Sequence, residues 1–204
     1  MGIVELLGLA ASVSLLSGWR LYLTVLVTGL AMRSGYIDLP ENLAMLDTLA
    51  NPWVLGIAGL GTLAEFFADK IAWLDSIWDG LNTLVRPLGG ALLALAIVDA
   101  SDPAWQVIVF LLGGGAALLS HGTKATARAA VNTSPEPVSN ALLSTAEDVM
   151  SGGLLFLAFS YPIVTAVIIG VLTLAMIYAL WRGMRAVQRF KQSLSPETSG
   201  NDPI

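Results

Sequence analysis

The residues able to do chemistry in this chain are concentrated in two stretches. The first, EFFADKIAWLDSIWDGLNTLVRP, carries Glu65, Asp69, Lys70, Asp75, Asp79 and Arg86. On a helix advancing about 100° per residue, Glu65, Asp69, Asp75, Asp79, Asn82 and Arg86 fall within an arc of about 140°. The opposite side carries Leu74, Ile77, Leu81 and Val85, and Lys70 falls on it, where it has to snorkel. Aligned carboxylates suit a proton or a cation, and Glu65 and Asp69, four apart, have the spacing of hard-cation ligands. The bland alternative is an amphipathic linker at the membrane surface, its carboxylates in water and Trp73 and Trp78 among the headgroups.

The second stretch is SHGTKATARAAVNTSPEPVSNALLSTAEDV. His121, Lys124, Arg128 and Asn132 line one helical face at spacings of three and four. Ser134 then reads as an N-cap with Pro135 at the first helical position. Beyond it Asn140, Ser144, Glu147 and Ser151 line another face, with Asp148 beside them. Lys124 and Arg128 suit an anionic solute, a phosphate or a lipid headgroup, and equally a positive anchor at the membrane surface. His121 suits a proton relay or a packed interior residue. Arg20, in SGWRLYL, lies inside an apolar run and calls for a buried acid such as Glu65 or Glu147, or marks a junction of two half-helices. Substrate-binding candidates are therefore Arg20, Glu65, Asp69, Lys70, Asp75, Asp79, Arg86, His121, Lys124, Arg128, Asn132, Ser134, Asn140, Glu147 and Asp148.

These groups sit in a chain of 204 residues that is 55% hydrophobic and only 12% charged. Soluble domains carry roughly 25% charged residues, so the composition is that of a membrane protein. With no cysteine and one histidine, neither a disulfide framework nor a thiolate or histidine-rich metal site can form. The net charge of −5 argues against nucleic acid. MGIVELLGLAASVSLLSG lacks the basic start of a cleaved signal and reads as a retained membrane segment.

A membrane crossing takes about 20 residues. Residues 3–32 form either one tilted helix or two half-length pieces hinged at Ser17-Gly18. Residues 48–64, 81–98 and 103–122 are the next three candidates, with Arg86-Pro87 interrupting the start of 81–98 as a proline restart. The long charge-free run 149–181 should fold at Ser160-Tyr161-Pro162, which makes residues 138–159 a fifth helix and 162–184 a sixth. Gly113-Gly114-Gly115 suits close helix packing, since no Walker-type lysine and Ser/Thr follow it. The expected fold class is all-α, a polytopic membrane bundle of about six transmembrane helices with two amphipathic or re-entrant linkers. Pro52-Trp53 and Pro103 with Trp105, each followed by an apolar helix, a polar linker and a proline restart, suggest a two-unit internal repeat. Residues 1–190 form one transmembrane domain, and 191–204 a disordered tail. Arg182, Arg185, Arg189 and Lys191 should be cytoplasmic, which puts both termini inside, with Arg33 the one basic residue on the wrong side.

GWRLYLTVLVTGL, EFFADKIAWLDSIWDGLNTLVRPLGGALLA, HGTKATARAAVNTSPEPVSN and the Ser144-to-Asp148 SxxED together resemble a bacterial membrane family, domain of unknown function 4126. The resemblance covers roughly residues 8–185, and Ala72 stands where it implies a proline. It implies a multi-pass protein of the bacterial inner membrane and no activity. The residues themselves suggest a small secondary transporter or permease moving a small, anionic solute or ion, coupled to a proton or cation. The alternatives are a lipid or polyprenyl-phosphate flippase and a non-catalytic membrane subunit. No nucleophile motif or nucleotide loop speaks for an enzyme, and no cofactor is expected. Expected partners are the lipid bilayer, the solute or ion, and a second copy of the chain in a homo-oligomer.

Overall fold

The computed structural model describes residues 2–34, 47–98, 101–132 and 137–194. It is all-α, with six helices among the described residues: α1 (Ile3–Ser34), α2 (Pro52–Ala68), α3 (Ala72–Val98), α4 (Pro103–Asn132), α5 (Pro137–Ser160) and α6 (Pro162–Leu194). Four of them, α1, α3, α4 and α6, are long and apolar enough to cross a membrane, and α2 is apolar but shorter. The chain is a multi-pass membrane protein.

Local chemistry sets several helix ends. Asn51 caps α2 by accepting the Trp53 N–H at 2.9 Å, with Pro52 in the first turn. Asp102 does the same for α4, accepting the N–H groups of Ala104 and Trp105 ahead of the turn that Pro103 opens. Proline suits that first position because its missing N–H would be unpaired there anyway. The Ser160-Tyr161-Pro162 junction separates α5 from α6, as the length of the charge-free run demanded.

The helices are amphipathic in the inverted sense. On α3, Asp75, Asp79, Asn82 and Arg86 are all buried, whereas Trp73, Ile77, Leu81 and Leu84 are exposed, Leu84 to 76%. A surface of this kind is stable only where the surroundings are apolar, and it makes the interior the polar phase. α1 is the central post and touches each of the other five helices. Its Leu6, Leu9, Ala10, Val13 and Leu21 pack with Leu93, Ala94 and Ile97 of α3, Val109 of α4 and Ala158 of α5.

Small residues let three helices meet at that post. A Cβ on Gly18 of α1 would lie 2.3 Å from the Ala117 carbonyl oxygen of α4. One on Gly90 of α3 would lie 2.5 Å from the Ala117 Cβ, and one on Gly113 would lie 2.5 Å from the Ala94 Cβ. Gly113 and Gly114 thus serve close packing against α3, while Gly115 faces open space. Without a hydrophobic drive between helices in lipid, such backbone-level approach supplies much of the packing energy.

Several expectations are corrected. The first charged stretch forms no separate linker: Glu65 lies in the last turn of α2, a short turn covers Asp69 and Lys70, and α3 then runs unbroken from Ala72 through Pro87. Pro87 is therefore no restart, and no helix N-terminus lies there. A proline inside a helix forfeits one hydrogen bond, but ending the helix in lipid would forfeit several. Residues 121–132 continue α4, which does not stop at Gly122. Residues 3–32 are two half-helices, but the break falls at Arg20 (φ −145°, ψ 73°), not at Ser17-Gly18. The expected cap at Ser134-Pro135 and the acidic turn residues Asp38, Glu41 and Asp99 lie outside the described residues, as does the tail from 195.

Candidate functional site: a buried ion network around the break in α1

The break in α1 organises the polar interior. Ending a helical turn leaves its carbonyls short of N–H partners. Here side chains supply the donors: Ser120 Oγ to the Leu15 carbonyl at 2.7 Å, Arg86 Nη1 to that of Gly18 at 3.4 Å, and Lys124 Nζ to that of Trp19 at 3.1 Å. Thr24 Oγ1 donates to the Arg20 carbonyl at 2.8 Å. Cations from α3 and α4 thus meet the C-terminal, partly negative end of the first half-helix.

Two groups of charges flank the break. In the first, Arg86 of α3 pairs through Nη2 with Glu65 Oε1 of α2 and through Nη1 with Asp79 Oδ1 at 3.2 Å. Nη1 also lies 2.7 Å from His121 Nδ1 of α4. Arginine can only donate, so Nδ1 must accept, and the imidazole is the neutral tautomer with its proton on Nε2. That proton points to Thr83 Oγ1 at 3.2 Å, and the hydroxyl donates to the Asp79 carbonyl at 2.9 Å. The second carboxylate oxygen of Glu65, a fully enclosed residue, has no hydrogen-bond partner among the described residues.

The second group joins α1, α4, α5 and the α2–α3 turn. Arg20 Nη1 contacts Asp69 Oδ2 at 2.5 Å, and Nη2 contacts Asp148 Oδ1 at 2.9 Å and Glu147 Oε2 at 3.8 Å. Asp69 also receives Arg128 at 3.2 Å and Lys124 at 3.7 Å. Glu147 receives the same two cations at 3.4 and 3.6 Å. Burial alone would raise the Asp69 carboxyl, but Lys124, Arg20 and Arg128 together outweigh it and hold Asp69 below the usual carboxylate range. Across both groups four cations face five carboxylates. Near balance is what permits so much charge inside an apolar shell, since each unpaired ion at membrane depth costs about 2.5–3.5 kcal/mol on insertion scales.

The basic face of α4 therefore meets Asp69 in the turn before α3 and Glu147 of α5, while the α3 acid Asp79 pairs with Arg86 of its own helix. Of the candidates, Arg20, Glu65, Asp69, Asp79, Arg86, His121, Lys124, Arg128, Glu147 and Asp148 are brought together. Asp75 is buried on the same α3 face as Asp79. Lys70 lies apart from the ion pairs, donating to Ser144 Oγ at 3.3 Å and sitting 3.4 Å over the Phe66 ring. Asn132 and Asn140 lie on α4 and α5 with side chains outside the described residues, and Ser134 is outside them altogether. Glu65 pairs with Arg86, so Arg20 takes Asp69, Asp148 and Glu147 in place of Glu65.

Several contributors carried little or no signal in the sequence. The Gly18 and Trp19 carbonyls become ligands only because α1 breaks beside them. Thr83 is one hydroxyl on a helix, and Ser144 showed only as one of a row of polar residues. A cavity of about 130 Å³ opens beside the second group, lined by Trp19, Arg20, Lys124, Glu147, Met150 and Met176. A larger one of about 260 Å³ between α1, α3 and α4 has apolar walls apart from Ser14 and no ionisable group, so the smaller cavity is the chemical one.

Residues 7–182 match the model of the family described as Domain of unknown function (DUF4126), and the chain belongs to that family. No curated protein and no solved structure matches the chain.

Proposed function

We propose that this member of the domain of unknown function 4126 family is a small secondary transporter or permease that moves a small anionic solute or ion past the break in α1. The observation that carries the reading is the discontinuous helix at Arg20, with buried cations on its freed carbonyls and ion groups on either side. Broken helices at membrane depth are tolerated where they are enclosed by protein or line a cavity, and transporters build ion and substrate sites from them. Asp69 and Glu147 also share three cations, Arg20, Lys124 and Arg128, so each cation has a second carboxylate within 4 Å. Glu65 is enclosed, with one carboxylate oxygen on Arg86 and the other without a hydrogen-bond partner among the described residues, which leaves that oxygen available to the coupling ion. The bacterial inner membrane is the location that the family resemblance implies, and the cluster of Arg182, Arg185, Arg189 and Lys191 beyond the last apolar run favours both termini in the cytoplasm. The proposal involves neither a catalytic step nor a cofactor.

The test is flux into vesicles reconstituted with the purified chain. Phosphate, acetate and chloride serve as trial anions, with an entrapped pH dye as proton reporter. Glu65→Gln and Arg128→Ala should abolish flux while folded protein is retained, as checked by size exclusion. Unchanged flux in both variants overturns the proposal.

A further inference from the structure

We propose, as a refinement that rests on the permease reading, that the 130 Å³ cavity receives the oxyanion head group of an amphiphile entering sideways from the bilayer between α5 and α6.

The cavity has two chemically different sides. On the protein side stand Arg20 and Lys124, 2% and 3% exposed, and Glu147, whose carboxylate is already engaged by Lys124 and Arg128. Trp19, itself enclosed, buries its indole N–H with no acceptor among the described residues, and so does the Arg20 Nε–H. A buried donor left without an acceptor costs about 1–3 kcal/mol, so the unspent capacity of this wall is for an acceptor. An oxyanion is a ligand that only accepts, and its several oxygens can take the Trp19 indole N–H and the Arg20 Nε–H that have no acceptor among the described residues. One turn along α5 from Glu147, and one turn along α6 from Met176, Ser151 and Thr173 bury hydroxyls that likewise find no partner among the described residues.

On the outer side stand Met150 of α5, 42% exposed, and Met176 of α6, partly exposed. Their neighbours Val149 and Leu174 face outward on the surface that the bilayer covers. Unbranched thioethers make a soft, adaptable rim. Whole-ligand pockets usually reach about 300 Å³ or more. A cavity less than half that size holds a head group and leaves any chain beyond the methionines, in lipid.

The experiment uses the full chain in a neutral detergent and reads thermal stability across a titration. Three probes are compared: dioctanoyl phosphatidic acid, dioctanoylglycerol as the same chains without the oxyanion, and inorganic phosphate as the oxyanion without chains. The phosphatidic acid should raise the melting temperature saturably, with the other two needing at least about tenfold higher concentration. Trp19→Phe, which keeps an aromatic side chain smaller than indole and removes the donor, should weaken the lipid about tenfold, the scale of one hydrogen bond to a charged group. Met176→Trp, which fills the rim, should weaken the lipid and leave inorganic phosphate unaffected. Neither substitution touches an ion pair, so both variants should fold. No saturable effect of the lipid, equal effects of lipid and inorganic phosphate, or unchanged lipid affinity in both variants overturns the proposal. Because binding is read without flux, failure here leaves the Glu65→Gln and Arg128→Ala flux result standing, and the reverse failure would remove only the permease reading.

Discussion

At the scale of single residues, the interior is held by ion pairs whose value lies in being complete. Asp69 is fully buried and balances Arg20, Lys124 and Arg128. Asp69→Asn would leave three enclosed cations with too little counter-charge. Breaking a buried pair from one side typically costs about 3–5 kcal/mol, so the variant should show a much lower melting temperature in detergent. Removing both charges in Asp69→Asn/Arg20→Met should cost less than the sum of the two single changes, which a double-mutant cycle on melting temperature would check. Additive losses would show that Arg20 and Asp69 do not act as a pair. The shared face of Asp75, Asp79, Asn82 and Arg86 was legible in the sequence from helical spacing, but Glu65 and Asp69 lie before the start of α3, so spacing on one helix did not place them. Which acid each arginine takes was not legible either, because Arg20 is 49 residues from Asp69 and Arg86 is 21 from Glu65, and only packing sets those distances.

At the scale of helices, three expectations follow from how α1, α3 and α4 are built and meet. Gly18→Leu places side-chain atoms where the Ala117 carbonyl already stands, so it should prevent folding or yield aggregated protein on size exclusion. Gly115→Ala meets no atom within 4 Å and should be neutral or slightly stabilising, since alanine is favoured over glycine in helices. Pro87 lies inside α3, so Pro87→Ala should leave the helix intact and raise, or leave unchanged, the melting temperature. A fall of several degrees would mean that the helix depends on the proline. The helices themselves were readable in outline from apolar runs, and the Ser160-Tyr161-Pro162 junction from the length of one run. The continuity of α3 was not, because charge spacing and a proline look alike in a surface linker and in a buried helix. The decisive factor is the cost of unpaired backbone in lipid, which local sequence does not display.

At the scale of the whole molecule, inverted amphipathicity makes a prediction about what each face touches. The chain has no native cysteine, so single cysteines report cleanly. Cysteines at Ile77, Leu81 and Leu84 should resist a water-soluble thiol reagent and react with a lipid-soluble one. One at Asn82, buried on the other face, should react slowly with both unless substrate passage opens the interior. Fast aqueous labelling of Ile77 and Leu81 would place the first half of α3 at the membrane surface and overturn the inside-out reading.

By itself the sequence determined the solvent and the inventory. A chain 55% hydrophobic with 12% charge belongs in a bilayer, and the family follows from its motifs. Helical spacing determined that acids and bases line faces, because periodicity is local and survives any tertiary arrangement. Only the tertiary structure decided that Asp69 meets the basic face of α4, that α1 breaks at Arg20, and that the freed carbonyls are held by Arg86 and Lys124. Those facts depend on α1 packing against both α3 and α4, at a separation that Gly18, Gly90 and Ala117 permit, and such a meeting is a property of packed surfaces.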